Sequence, residues 1–455
     1  MGADRPRRPD RVVRRPGAGL RPPLPVPGAA RPDPLPRPGD RSRPLSVLGR
    51  RERVPHPAVL ERLAECDRRG GQRGAHLYRR LVNVDVQRLT IGIEEEFQIV
   101  DGDGQLKSHA QALIGAAQPY LEERVKAEMM QSVVEIGTRI CADVGEARRE
   151  IANARGTLAT LLKRDGLRLV SAGTHPFSHW REQLVTEQER YKVLEEELQD
   201  VIRQLLIFGL HVHVGIPDRE QRIEVMNEAR YFLPHLLAIS TSSPFWVTRN
   251  TGLKSYRQIV WQRFPRTGIP PEFSSWDEYE NYVELLVRTN CIDDGKKIWW
   301  DLRPHAIYPT IEFRVCDAAT KIDETLCIAG LIQAICAKLL VLRARNLGFR
   351  RYMPGLIQEN KWRAMRGGMD ANLIDFGKET EVPMRDLAEE LLAFVDDVLD
   401  PLGSRKEVEY LRVIARDGTS ADRQIRTFER TGHLHAVVDN LAVETLEGVP
   451  EVSLA

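Results

Sequence analysis

The chain reads as an α+β fold whose sheet keeps one face wet. Two observations point there. Three stretches alternate apolar and polar residues, the pattern of half-buried strands. Segments of helical period lie between them at irregular positions. That interspersion alone leaves an α/β fold open. The alternation favours antiparallel pairing, because parallel strands are covered on both faces and read as unbroken apolar runs.

The first strand is Thr90-Ile-Gly-Ile-Glu-Glu-Glu-Phe-Gln-Ile-Val100. Ile91, Ile93, Phe97 and Ile99 share one face, Glu94 and Glu96 the other, and Glu95 is a charge on the apolar side. Two carboxylates held side by side repel by about 1 kcal/mol in water and about 4 kcal/mol at an effective dielectric near 20. A divalent cation offsets that repulsion; a solvated strand face is the plain alternative. The second strand, Gly209–Pro217, sets His211 and His213 opposite Leu210, Val212 and Val214. The third, Thr310–Asp317, alternates Ile311, Phe313 and Val315 with Thr310, Glu312, Arg314 and Cys316. A fourth stretch, Glu128–Thr138, is less regular. Glu128 and Glu135 are out of phase for one straight strand, so one of them belongs on a turn or beyond a bulge.

Val144, Ala147, Ile151, Ala154, Leu158, Leu161 and Leu162 predict a helix over 145–164. Leu167–Ala172 reads as a strand running into Gly173-Thr-His-Pro176. A charged helix is expected over 187–207, and another over 219–239 with Pro234 as its kink. A long apolar helix follows over 322–345, with Thr320 as its candidate cap and Gly348 beyond its end. Residues 384–447 read as three helices, the first stopped by Asp400-Pro-Leu-Gly403. Cys316, Cys327 and Cys336 read as core residues. No C-x-x-C pair supports zinc-ribbon or thioredoxin chemistry.

With 455 residues, 42% of them apolar, the chain can bury a large core. No run approaches about 18 consecutive apolar residues, so no membrane span is expected. Scattered cysteines and the missing secretory-signal pattern fit a cytoplasmic protein. Residues 1–50 hold 12 Arg, no Lys, four acids and 12 of the 28 prolines, a local charge of +8. The remainder has 54 basic against 61 acidic residues, a charge of −7, which does not suggest a nucleic-acid partner for the folded part. The Arg/Pro-rich tail is expected to be disordered, since it cannot bury enough surface to offset chain entropy. A misassigned start region, a solvated tail and a nucleic-acid or targeting arm compete as its explanation. Its proline density opposes the amphipathic helix of a transit peptide. Residues 51–87 read as a helical lead-in of uncertain status, and residues 88–448 as the folded body.

Eight groups of residues, in order, resemble the type 2 glutamate–cysteine ligases, ATP-dependent carboxylate–amine ligases related to glutamine synthetase. They are GIEEEF (92–97), QSVVEIGT (131–138), SAGTHPF (171–177), GLHVHVG (209–215), SPFW with TGLKSYR (243–257), DLRPH (301–305), IEFRVCDA (311–318) and ENKWRAMRGGMDA (359–371). The set is specific where any single segment is weak. The resemblance implies a curved, mainly antiparallel sheet whose concave face is the active site, with helices packed on its back. It makes 88–448 the catalytic domain.

It also implies that Glu94, Glu96, Glu128, Glu135, His211 and Glu312 hold Mg²⁺ or Mn²⁺. The expected activity joins the γ-carboxylate of glutamate to an amine, cysteine by default, through a γ-glutamyl phosphate made with ATP. Phosphoryl transfer asks for positioning, cations and a neutralising guanidinium. Arg314, on the face of Glu312, is the candidate for that role, and these two form the expected catalytic pair. Arg249 and Arg257 are candidates for the substrate α-carboxylate. Arg303 and Arg314 are candidates for the nucleotide phosphates. His213 reads as a neighbour of the metal ligands, His175 as structural, and Trp299 and Trp300 as core, with one of them able to flank substrate. No Walker A or G-x-G-x-x-G loop occurs, so ATP is held another way. A homodimer is left open. A ligase using a different amine, a metal-dependent phosphohydrolase and a basic-armed nucleic-acid binder are the competing readings.

Overall fold

A computed structural model of the protein describes residues 89–454. The expectations for residues 1–50 and 51–87 lie outside the described residues.

Seven strands form the main sheet: β1 (Ile91–Val100), β2 (Val125–Ala127), β3 (Val133–Gly137), β4 (Arg168–Val170), β5 (Gly209–Gly215), β6 (Leu302–Pro304) and β7 (Thr310–Asp317). Their order is β6-β7-β5-β1-β3-β2, with β4 beside the far end of β1. Every pair is antiparallel, as the alternation predicts. The long β1 is the hinge of the site. It pairs with β5 through Ile91–Glu95 and with β3 through Glu94–Gln98.

One face of the sheet is dry. Ile91, Ile93, Leu210, Val212, Val214, Ile311 and Phe313 pack there with helices α1 (Val144–Arg164) and α2 (Ile322–Ala344) in the largest core cluster. Helix α1 starts where expected, at Asp143, whose side chain accepts the Glu146 N–H. Helix α2 is the one described helix long and apolar enough to cross a membrane, yet 89% of its most apolar window is buried inside the protein. Its cap position is Lys321, with the Glu324 carboxylate accepting the Lys321 N–H at 3.0 Å. Thr320 does not cap it; its hydroxyl is committed to the Ser171 carbonyl at 2.9 Å.

Other differences from expectation are local. The charged helix over 187–207 is two pieces, Glu189–Leu198 and Asp200–Arg203, because Gln199 takes φ 47° and breaks the ladder. The 219–239 segment is also divided, with Pro234 in the first turn of Leu233–Ser240, where its missing N–H costs nothing. Residues 384–447 form five helices rather than three, the first ended by Gly403 in the left-handed region. The pairing of β7 with β5 shifts between Phe313 and Cys316, so Val315 and Cys316 both enter the core despite being adjacent.

Glu95, the charge on the apolar side of β1, finds Arg155 of α1. The Arg155 Nε donates to Glu95 at 3.0 Å, and Thr325 donates its hydroxyl to Glu95 at 2.6 Å. Arg155 also reaches the carbonyls of Thr320 at 2.8 Å and Thr445 at 2.9 Å. A buried ion pair of this kind is tolerated because every polar atom is satisfied.

Candidate active site

The other face of the sheet carries the acids. The registers set Glu94 opposite His211, Glu96 opposite Glu135, and Glu312 between His213 and Arg303. Glu128 stands on the turn just past β2, which resolves its phase conflict with Glu135 in β3. Glu94, Glu96, Glu128, Glu135, His211, Arg257 and Arg314 line one cavity of about 270 Å³. Five strands and turns thus converge on one hollow.

Two subclusters are distinct. In the first, ligand atoms of Glu94, His211 and Glu312 all lie within 4.8 Å of one another. His211 Nδ1 is 3.3 Å from the Glu94 carboxylate, and His213 Nε2 is 3.7 Å from it. Burial would raise the Glu94 carboxyl, but these two histidines together hold it well below the usual range. Burial, with the Arg314 charge beside it, pushes His211 down to about 4, so its ring is a neutral donor set for a metal. In the second subcluster, burial lifts Glu96 to about 7 against the pull of Arg257, and the Glu135 charge adds to the lift. Burial and the charge of Glu96 push Glu128 to about 7. Burial and the charges of Glu94 and Glu128 carry Glu135 well above the usual range. Three crowded acids with raised affinity for protons would equally accept a divalent cation.

The arginines divide more sharply. Arg314 donates to Glu312 from inside the cavity. Arg257 is 2% exposed, yet its only described acceptor is the Arg314 carbonyl, reached at 3.4 Å, and its Nε has no partner. A buried, nearly unmet guanidinium in a cavity is a poised anion site. Its backbone is held by Ser243, which accepts the Arg257 N–H at 3.0 Å and donates to buried Asp317 at 2.7 Å. Gly209 is required beside it, since a Cβ there would strike the Arg257 guanidinium. The Gly209 N–H meanwhile donates to Glu96 at 2.6 Å. Trp261 lies under both guanidiniums, its ring centroid 5.9 Å from Arg257 and 5.5 Å from Arg314.

Two expected ligands are placed elsewhere. Arg249 is exposed on a short hairpin with Phe245–Trp246 and does not line the cavity. Arg303 stands behind Glu312 and is spent on protein acceptors. It donates to Glu312 at 2.8 Å and to the carbonyls of Lys296 at 2.9 Å and Ile298 at 2.5 Å. That leaves it a brace for Glu312, not a free phosphate ligand. Glu312 is therefore held between two arginines and stays ionised. His175 is structural as expected, with Nε2 2.9 Å from the Gly104 carbonyl and Nδ1 accepting the Ser178 N–H at 2.9 Å. Trp299 lines the cavity and Trp300 is core.

Sequence reasoning missed most of the remaining wall, including Met129, Tyr191, Leu194, Ile202, Trp261 and Phe264. It also missed the fully buried Lys361–Asp301 pair at 2.5 Å, whose Asp301 carbonyl accepts the Arg314 N–H at 2.8 Å. Lys361 lies in the 359–371 segment, so that segment braces Arg314 from behind.

An antiparallel sheet with acids on one face and helices on the other is the architecture of the glutamine-synthetase-like ligases. Among solved structures, a bifunctional glutathione synthetase from Pasteurella multocida superposes with a TM-score of 0.62 over 82% of this chain and 54% of its own, at 16% identity. A glutamate–cysteine ligase from Francisella tularensis, solved with AMP, gives 0.60 over 79% of this chain and 89% of its own, at 13% identity. These likenesses establish the fold. The sequence narrows it. The model of glutamate–cysteine ligase family 2 matches residues 90–440. Relatives named putative glutamate–cysteine ligase 2 are 57% identical in Roseiflexus castenholzii over 79% of this chain and 96% of theirs, and 54% identical in Solibacter usitatus over 79% and 94%. The chain belongs to glutamate–cysteine ligase family 2 and is an enzyme of the ligase class.

Proposed function

We propose that this ligase joins the γ-carboxylate of glutamate to an amine at the expense of ATP, with residues 88–448 as its catalytic unit. The observation that carries this reading is the pairing of an acid-rich cavity with a buried guanidinium, Arg257, whose Nε has no partner and whose other nitrogens reach only a carbonyl at 3.4 Å. A phosphohydrolase needs the acids but has no use for a second anion site.

The donor set suits Mg²⁺ or Mn²⁺: carboxylates of Glu94, Glu96, Glu128, Glu135 and Glu312 with the neutral imidazole of His211. Such cations, when bound, neutralise phosphate charge and align the transferring group. The chain's own residues do the remainder. Arg257 holds the glutamate α-carboxylate, which aims the γ-carboxylate at the nucleotide. Arg314, steered by Glu312 and Trp261, neutralises the phosphoryl group as an oxygen of the γ-carboxylate displaces ADP from it. The acyl phosphate so formed is attacked by the amine nitrogen, the C–O bond to phosphate breaks, and the amine proton leaves with the released phosphate. Cysteine, the amine in the relatives' name, is the reference acceptor.

The test is ADP release by the purified chain with ATP, Mg²⁺, glutamate and an amine. Release that requires both glutamate and amine supports the reading. Equal release without either identifies a phosphohydrolase and ends it.

A further inference from the structure

The cavity has two chemically different halves. Acids and the two guanidiniums occupy one. Met129, Leu194, Ile202, Leu205, Ile207 and Phe264 line the other, and none of these side chains carries a hydrogen-bonding N–H or O–H. Leu194, Ile202 and Leu205 come from the segment around the break at Gln199, so the divided helix and the residues just after it supply part of this wall.

Glutamate does not need the apolar half, since its carboxylates belong with Arg257 and the acids' cations. A purine ring would meet few polar side chains there, although the Trp261 indole N–H on the adjoining wall has no partner. Cysteine fits poorly as well. Its side chain is a single thiol, and it brings an α-carboxylate that needs a third cation. Among the described residues, the cations lining the cavity are Arg257 and Arg314 alone. Several other nearby cations are engaged elsewhere. Lys126 lies 3.6 Å from Glu135, and Arg190 donates to the Ala127 carbonyl at 3.1 Å. Arg266 does not line the cavity and donates its Nε to the Lys297 carbonyl at 2.9 Å, although its Nη2 has no partner, and Lys297 pairs with Asp293 at 2.9 Å. A carboxylate taken into this half without a partner would carry a large desolvation penalty.

We infer that the preferred acceptor is a primary amine with an aliphatic or aryl body and no carboxylate, rather than cysteine or another α-amino acid. This rests on the ligase reading above and on the assignment of Arg257 to glutamate. The reaction is the same: the amine nitrogen forms the new C–N bond of the γ-glutamyl amide, the acyl phosphate C–O bond breaks, and phosphate carries off the proton.

The experiment compares pairs that differ only by the carboxylate. ADP release with ATP, Mg²⁺ and glutamate is measured for cysteine against cysteamine, and for leucine against isopentylamine. The expected kcat/KM is about tenfold or more higher for each decarboxylated partner, and higher for isopentylamine than for cysteamine by a similar factor. Faster turnover of either amino acid, or no gain from the apolar body, overturns the inference while leaving the ligase reading intact. No amine-dependent release from any of the four defeats both. A second arm uses Leu194→Asp, on the half-exposed part of the wall. The KM for isopentylamine should rise with the KM for ATP unchanged. A rise confined to ATP would mean that the apolar half holds the adenine, and a change in neither would mean that it holds no ligand; both overturn the inference.

Discussion

Three consecutive glutamates on β1 meet opposite fates. Glu95 points to the helices and is fully matched by Arg155 and Thr325. Glu94 and Glu96 point to the cavity, where five carboxylates outnumber the guanidiniums and Arg257 keeps an unpartnered Nε. Both centres are buried and ionic. The difference is stoichiometry. A buried charge whose partners are complete holds the fold together; one whose partners are incomplete awaits something that is not protein.

The largest effect should come from the matched centre. Glu95→Ala leaves Arg155 buried without a counter-charge, which costs about 3–5 kcal/mol of stability. Denaturant unfolding should show that loss, while activity per folded molecule persists. If stability held and turnover vanished, the two centres would have been assigned the wrong way round. The unmatched centre should give the reverse. Glu96→Gln and Glu312→Gln should each lower glutamate-dependent ATP turnover by about 10²–10³-fold, roughly 2.7–4 kcal/mol; the melting temperature should change little for Glu96→Gln, and fall for Glu312→Gln because Arg303 and Arg314 lose their buried counter-charge. Near-normal turnover in either variant would remove that residue from the site.

A buried histidine sharpens the distinction through pH. Burial pushes His235 down to about 4. Below about 6.5 the unfolded chain protonates this residue while the folded chain does not, so its contribution to stability is complete above that pH and fades as pH falls. The stability gap between the wild type and His235→Gln should therefore narrow by about 1.4 kcal/mol per pH unit between roughly 6.5 and 4. A constant gap would show that His235 takes up its proton in the fold at the same pH as in the unfolded chain. The smallest effect is expected at Arg249. Arg249→Ala should leave the KM for glutamate within about twofold, as for an exposed charge outside the cavity. A large rise would restore it to the substrate site.

The contrast on β1 was legible in the sequence because strand alternation is strictly two-fold: Glu94 and Glu96 had to part company with Glu95. The same rule found His211 and Glu312. Cross-strand register is not written in any one strand, so nothing told that Arg303 would face Glu312 and be consumed by it. Guanidinium chemistry alone could not separate Arg249 from Arg257, since a short hairpin leaves Arg249 outside the cavity that Arg257 lines. The bulge in β7 reconciles the two readings of Cys316, set on the wet face by strand alternation and in the core by residue type, in favour of the core. The apolar wall was invisible for another reason. Met129, Ile207 and Phe264 look like any core residues, and only packing decides that their exposed edges border a cavity.

The most direct measurement is Mn²⁺ binding followed by electron paramagnetic resonance, with a non-hydrolysable ATP analogue present. Bound Mn²⁺ in the wild type and its loss in Glu96→Gln, with Glu95→Gln binding as the wild type does, is the predicted result. Equal Mn²⁺ binding by Glu96→Gln, or none by the wild type, would contradict the idea that the acids on this face gather around a cation.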